Sequence, residues 1–81
     1  MKLILLCDEE ELFNGDVSKV NLETDNGKVT ILPNHQSYMT KIIKKVTYTA
    51  INGESHSVDI DIGIAYTNGD SCFVAVNKCK S

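Results

Sequence analysis

Asp59 and Asp61 are the close carboxylate pair on one expected strand. Residues i and i+2 of a strand share a face at roughly 6.5–7 Å, a separation at which paired acids can hydrolyse a glycosidic bond. Their face lies opposite a Val/Ile face and opens to water with no wall implied, so a solvated surface or a partner contact is the simpler reading. His35, His56 and the three cysteines Cys7, Cys72 and Cys79 are of the types that ligate zinc. None stands at the C-x₂₋₄-C or H-x₃₋₅-H spacing of a structural site. No GxSxG, no Ser/His/Asp order and no phosphate-cradling glycine loop is present. Cys7 and Cys72 fall in apolar stretches, where thiols pack rather than react. An odd cysteine count without a close pair reads as reduced thiols in a reducing compartment. The residues therefore point to a protein that works through its surface, without catalysis, cofactor or metal.

The elements that would carry such a surface follow from composition. The chain has 81 residues, enough for one small domain. Eleven acidic residues face eight basic ones, all lysine, for a net charge of -3 and a pI near 5.2. Arginine, the usual fork for guanine edges and phosphates, is absent, which argues against a nucleic-acid binder. The apolar run Leu3 to Cys7 is far too short to span a bilayer. A soluble, cytoplasm-facing protein is expected. Val, Ile and Thr together supply 21 residues against three Ala, a bias toward the pleated sheet. Four of the five glycines follow asparagine, at Asn14-Gly15, Asn26-Gly27, Asn52-Gly53 and Asn68-Gly69. Both residue types tolerate the positive φ of hairpin turns, so each pair is expected to be a turn.

Between those turns the strands can be placed. Residues 2–7 read as a strand buried on both sides, and Asp8-Glu9-Glu10-Glu11 must sit in solvent. From Val20 the pattern alternates with Leu22 inward; Val17 is out of phase, which predicts a bulge near Ser18. Pro33 cannot donate to a ladder and marks a strand end. Lys44-Lys45 separates the stretch 38–43 from 46–51. Val58, Ile60, Ile62, Ile64 and Tyr66 alternate with smaller or charged residues, predicting a strand with those five inward. Cys72 to Val76 is the last strand, and the tail 77–81 is expected to fray. The fold class is all-β: a two-sheet antiparallel β-sandwich, or flattened barrel, of short strands. Charge is blocked, acidic over 1–25 and 51–70 and basic over 26–50 and 71–81, as suits strands that neutralise one another side by side.

One ordered set of residues is more specific. Leu12-Phe13-Asn14-Gly15-x-Val17-x-x-Val20-x-Leu22 is followed by Gly27-x-x-x-Ile31-Leu32-Pro33-x-His35 and Thr40. This resembles the amino-terminal domain of the epsilon subunit of F-type ATP synthase (delta in mitochondrial naming), over essentially the whole chain, 1–81. Phe13, Gly15, Val17, Ile31 and Leu32 carry the resemblance. It implies a β-sandwich and a non-catalytic foot on the central stalk that grips the gamma subunit and rests on the polar loops of the membrane c-ring, so that ion flow is coupled to ATP synthesis. Membrane contact would be only through the complex, at the cytoplasmic face of the inner (plasma) membrane.

The same resemblance implies where contacts fall. Cys7, His35, Thr40 and Asp61 match positions at the gamma interface. Asn26, Gly27, Lys28 and Pro33 match the loop that faces the rotor ring, where members often carry an acidic residue in place of Lys28. Asn34 stands for a common glycine, Lys44-Lys45 for Pro-Gly, and Asp61-Ile62-Gly63 for Ser-Gly-Gly. Members usually continue into a helical hairpin that inhibits ATP hydrolysis and in some bacteria binds ATP; this chain is expected to lack that brake and that site. The alternative reading is a free-standing β-sandwich module that binds a small ligand or a metal through His35, His56 and the thiols.

Overall fold

Asp8 and Glu9 both adopt positive φ (48° and 72°), and that pair turns β1 (Lys2–Cys7) into β2 (Glu10–Thr24). The structure is a computed structural model that describes residues 1–34 and 36–79. Asn14-Gly15 is not a turn: it lies inside β2, opposite Ile4 and Leu3. Gly15 serves packing instead. A Cβ there would stand 3.2 Å from Phe13 Cζ, because the Phe13 ring lies over the glycine on its way to Tyr48, with ring centroids 4.5 Å apart. The other three Asn-Gly pairs do reverse the chain. Asn26-Gly27 leads into β3 (Gly27–Ile31), Asn52-Gly53 joins β4 (Tyr38–Ala50) to β5 (Ser55–Thr67), and Asn68-Gly69 joins β5 to β6 (Ser71–Val76). Each of these glycines has φ near +100°, which disfavours a side chain.

The strands form one hydrogen-bonded set in the order β1-β6-β5-β4-β2-β3, and β1 also pairs with β2, so the ladder closes on itself. Five of the six pairings are antiparallel; β1 and β6 run parallel, from Lys2↔Ser71 to Cys7↔Val76. The purely antiparallel expectation is corrected there. A parallel pair cannot be closed by a tight turn, and here the connection is the whole intervening chain. The bulge expected near Ser18 is present between Val17 and Lys19. Lys44-Lys45 does not separate two strands: β4 runs through it, with Lys44 at φ 67 as a bulge. These irregularities bend β2, β4 and β5 so that their halves serve two layers, the flattened barrel of the expected sandwich. Leu3, Leu5, Val17, Val20, Leu22, Ile42, Val46 and Val74 fill the space between them.

Two apolar strands are less buried than their sequence suggests. In β1, Leu3, Leu5 and Cys7 point into the core while Ile4 and Leu6 remain half-buried on the other face. In β5, Val58 and Ile60 are inward, but the phase then slips: Ala65 and Thr67 are buried, and Ile62, Ile64 and Tyr66 turn outward at 39 %, 54 % and 37 % exposure. The slip sits where β5 meets the β4 bulge, between the pairs Ile43↔Ile62 and Lys45↔Asp59. Gly63 makes it sterically feasible. A Cβ on Gly63 would lie 2.6 Å from the Ala75 carbonyl oxygen and 3.0 Å from Val76 Cα, so β6 crosses against bare backbone. Just beyond, the Asp61 N–H donates to the Asn77 carbonyl (3.2 Å), the Asn77 N–H donates to the Ile62 carbonyl (3.1 Å), and Asn77 Oδ1 accepts the Ile62 N–H (3.3 Å).

That clamp also corrects the expected fraying of the tail for residues 77–79, which are tied down; Lys80 and Ser81 lie outside the described residues. The Lys78 N–H donates to Asp8 Oδ2, and Cys79 forms a disulfide with Cys7 (Cα–Cα 6.3 Å). The expectation of three reduced thiols is therefore overturned. The parallel register that ends at Cys7↔Val76 carries residue 79 back to residue 7, a proximity invisible at a sequence separation of 72. Closing a loop of that length stabilises the fold by about 4 kcal/mol on the chain-entropy account. Cys72 is the free, buried cysteine, and burial pushes its thiol from 9.0 up to about 11.

Gly63→Ala is expected to lower stability by roughly 2–3 kcal/mol, because the new methyl meets β6 backbone that cannot rotate away. Gly15→Ala meets only a movable ring and should lose less; urea unfolding of both checks the order. Because the Cys72 thiol titrates higher in the folded state than in the unfolded chain, its contribution is fully present below pH 9 and is lost toward pH 11. Relative to Cys72→Val, the parent should therefore lose roughly 1–3 kcal/mol between pH 8 and 11, read as the change in the gap between their urea midpoints.

Candidate functional site

The phase slip in β5 has a surface consequence. On the outer side of the β4-β5-β6-β1 layer, cross-strand register aligns Met39, Tyr66, Phe73 and Ile4 in one row. The next row is Lys41, Ile64, Ala75 and Leu6. Four strands at 4.7–4.9 Å spacing make this face about 15 Å across. Met39, Ile64 and Phe73 are the most open of its apolar side chains, at 66 %, 54 % and 44 %. Beside them lies a groove of about 590 Å³. Leu6, Ile62, Ile64, Ala75 and Val76 line it, Gly63 lies among them, and Asp8, Glu9, Lys41 and Asn77 complete it. A contiguous apolar patch of this kind marks an interaction surface.

The outer side of the other layer is of opposite character. Thr47 and Ser57 share a hydrogen bond at 3.0 Å, and the Thr30 hydroxyl donates to Asn21 Oδ1 at 2.8 Å. These pairs lie on exposed strand surface and satisfy each other. The described residues thus present one apolar face and one hydroxyl-rich face whose hydroxyls are bonded to one another.

The residues singled out from the sequence fall as follows. Asp59 and Asp61 are both exposed, and the β5 irregularity separates them; neither lines the apolar groove. Asp61 borders the apolar face beside Asn77. Thr40 is half-buried opposite Ala65, beneath that face, with its hydroxyl on the Lys41 carbonyl. Cys7 is buried and disulfide-bonded, so its side chain is a core element. His35 lies outside the described residues. Asn26, Gly27 and Lys28 form the β2–β3 turn, whereas Pro33 follows the far end of β3, next to Asn34, whose N–H donates to the Gly69 carbonyl (2.9 Å). Those four positions therefore do not make one loop.

The described members of the proposed metal set are not brought together. Exposed His56 sits 3.8 Å from Glu54 and beside the Tyr48 ring. Among the described residues, the group with metal-ligand proximity is Cys7, Asp8 and Cys79, whose two sulfurs are bonded to each other. Sequence reasoning missed the apolar face itself. Two signals could have found it: the unbroken run Leu3-Ile4-Leu5-Leu6, apolar on both faces of one strand, and Gly63, a glycine amid bulky strand residues. Among the described residues no helix is long and apolar enough to cross a membrane.

Comparison with known proteins agrees with this architecture. The family described as ATP synthase, Delta/Epsilon chain, beta-sandwich domain matches residues 1–81. The ATP synthase epsilon chain of a Synechococcus strain is 31 % identical over 80 residues, covering 99 % of this chain and 59 % of that protein. The epsilon chain of Clostridium novyi is 38 % identical over 80 residues, covering 98 % and 61 %. This chain thus spans about three fifths of the length of these curated relatives. Among solved structures, a chain of the Euglena gracilis mitochondrial ATP synthase superimposes with a TM-score of 0.81 at 19 % identity, over 96 % of this chain and 51 % of that one. A chain of the Tetrahymena thermophila mitochondrial ATP synthase central stalk and c-ring does so with a TM-score of 0.83 at 15 % identity, over 100 % and 66 %. At such identities the superpositions speak to fold, and the sequence match speaks to family. From residue 1 to residue 81, the chain belongs to the ATP synthase delta/epsilon chain β-sandwich family.

Proposed function

We propose that this chain is a non-catalytic module of the rotating central stalk of an F-type ATP synthase, docked on the gamma subunit through its apolar face. The observation that carries the reading is the pair of cross-strand rows around Tyr66-Phe73 and Ile64-Ala75 in a chain of this family. Such a surface in water is satisfied by a partner, and the neighbouring structures are those of ATP synthase assemblies. Asp61 borders the docking face, and Thr40 supports it from below; His35 belongs to the same proposed interface by its motif position. The c-ring end is assigned to the Asn26-Gly27-Lys28 turn, with Pro33 shaping the loop at the opposite end of β3. The module would sit peripherally at the cytoplasmic face of the coupling membrane, held there by the complex. No observation favours the ligand-binding alternative: the disulfide removes two of its thiols, and the described residues bring no histidine to the third.

Co-expression with the cognate gamma subunit, affinity capture and native mass spectrometry test this directly. A one-to-one complex is expected. Burying one large apolar side chain contributes about 1.5–3 kcal/mol, so Ile64→Asp or Phe73→Asp should each weaken capture at least roughly tenfold, while Thr47→Asp on the hydroxyl-rich face leaves it unchanged. Failure of a demonstrably folded parent to bind gamma, or equal binding by all three variants, overturns the reading.

A further inference from the structure

The Cys7–Cys79 bond lies at one end of the groove described above. Asp8 and Glu9, the turn that follows Cys7, and Val76 and Asn77, which precede Cys79, are all groove-lining residues. The bond holds these two strips of chain together from outside the β ladder. Beyond the β1–β6 ladder, which ends at Cys7↔Val76, the turn is tied to the tail by two single hydrogen bonds, the Asp8 N–H to the Val76 carbonyl (3.1 Å) and the Lys78 N–H to Asp8 Oδ2 (3.3 Å), while Asn77 is held to Asp61 and Ile62 of β5. Cys79 is half-buried at the edge of the core while Cys7 is buried, so Cys79 is the more accessible residue of the pair.

We propose that Cys7–Cys79 is a thiol–disulfide exchange site whose oxidised form fixes one end of the apolar groove and whose reduction by a dithiol releases it. A thiolate of the reductant attacks Cys79 Sγ, the Sγ–Sγ bond breaks, and Cys7 leaves as a thiolate that takes up a proton. The second thiol of the reductant then displaces Cys79, which is protonated in turn, and the reductant departs as a cyclic disulfide. Two electrons and two protons pass to the protein, and the dithiol is oxidised. Asp8 Oδ2 stands 3.7 Å from Cys7 Sγ, and a neighbouring carboxylate opposes a thiolate on Cys7. That opposition favours the oxidised state until a reductant is supplied. Because the groove adjoins the face assigned to gamma, the consequence for gamma binding rests on the proposed function; the exchange and the release do not.

The full chain is tested in air and after dithiothreitol, with a thioredoxin-type protein dithiol as a second arm that separates a macromolecular from a small-molecule reductant. Alkylation and mass spectrometry should show two thiols, Cys7 and Cys79, appearing on reduction. Hydrogen exchange should speed up at least tenfold at the Asp8 and Lys78 amides, with the Asn77 amide, bonded to the Ile62 carbonyl, and the β4 and β5 amides unchanged. Cys7→Ala/Cys79→Ala should reproduce the reduced pattern without reductant. Gamma capture by the oxidised form should exceed that by the reduced form at least fivefold. Three free thiols in the air-purified protein, unchanged exchange after reduction, or acceleration throughout the chain (a structural staple) each overturn the proposal. If local release occurs but neither form binds gamma, the exchange site stands and the gamma assignment falls.

Discussion

The approach of β6 to the backbone of Gly63 is the contact on which the rest of this structure depends. Ala75 and Val76 occupy the space where any side chain at position 63 would begin. That closeness lets Asn77 bridge Asp61 and Ile62 from across the strand boundary, where the β4–β5 register already shifts. Once the phase has shifted, Ala65 and Thr67 fill the core and Ile62, Ile64 and Tyr66 go outside. The same seating of β6 completes the parallel pair with β1 and brings residue 79 within bonding distance of residue 7. Barrel closure, the apolar face and the disulfide therefore have one steric origin.

A domain of this size has little hydrophobic surplus, which makes three outward-facing large residues on one strand informative. Turning Ile62, Ile64 and Tyr66 inward would have added core, yet the fold places small Ala65 there and keeps the bulk outside. Stability at this position is subordinate to the surface. The cross-link and the closed ladder compensate in part: β1 is paired on both sides, with β6 and with β2, so the first strand is not a free edge. The result is a closed ladder with one apolar side.

Much of the fold was legible because its signals are local. Positive-φ turns at Asn26-Gly27, Asn52-Gly53 and Asn68-Gly69 need only their own dipeptides, and the bulge near Ser18 shows as a break in alternation. The motif around Phe13-x-Gly15 was recognisable as a pattern, but its physical meaning was not. A ring lying over a glycine and stacked on Tyr48 is a tertiary contact, and read locally the same Asn14-Gly15 dipeptide looks like a turn. The true reversal at Asp8-Glu9 carries no glycine at all; the hairpin imposes left-handed geometry on residues that do not prefer it.

The candidate site was the least legible part, for a related reason. A period-two pattern reports which residues share a face, never which face is the core, and a single irregularity between Asp59 and Ile62 exchanges the two. Val58 and Ile60 obey the simple inward reading; Ile62, Ile64 and Tyr66 carry the same pattern onto the surface. The deciding information sits on another strand, in the β6 backbone that excludes a Cβ at position 63. Cysteine counting fails for the same cause: Cys7 and Cys79 are remote in sequence and adjacent only because β1 and β6 run parallel and in register. Where function depends on strands that meet across nearly the whole chain, the isolated sequence shows the parts of the surface and the fold alone shows which side they face.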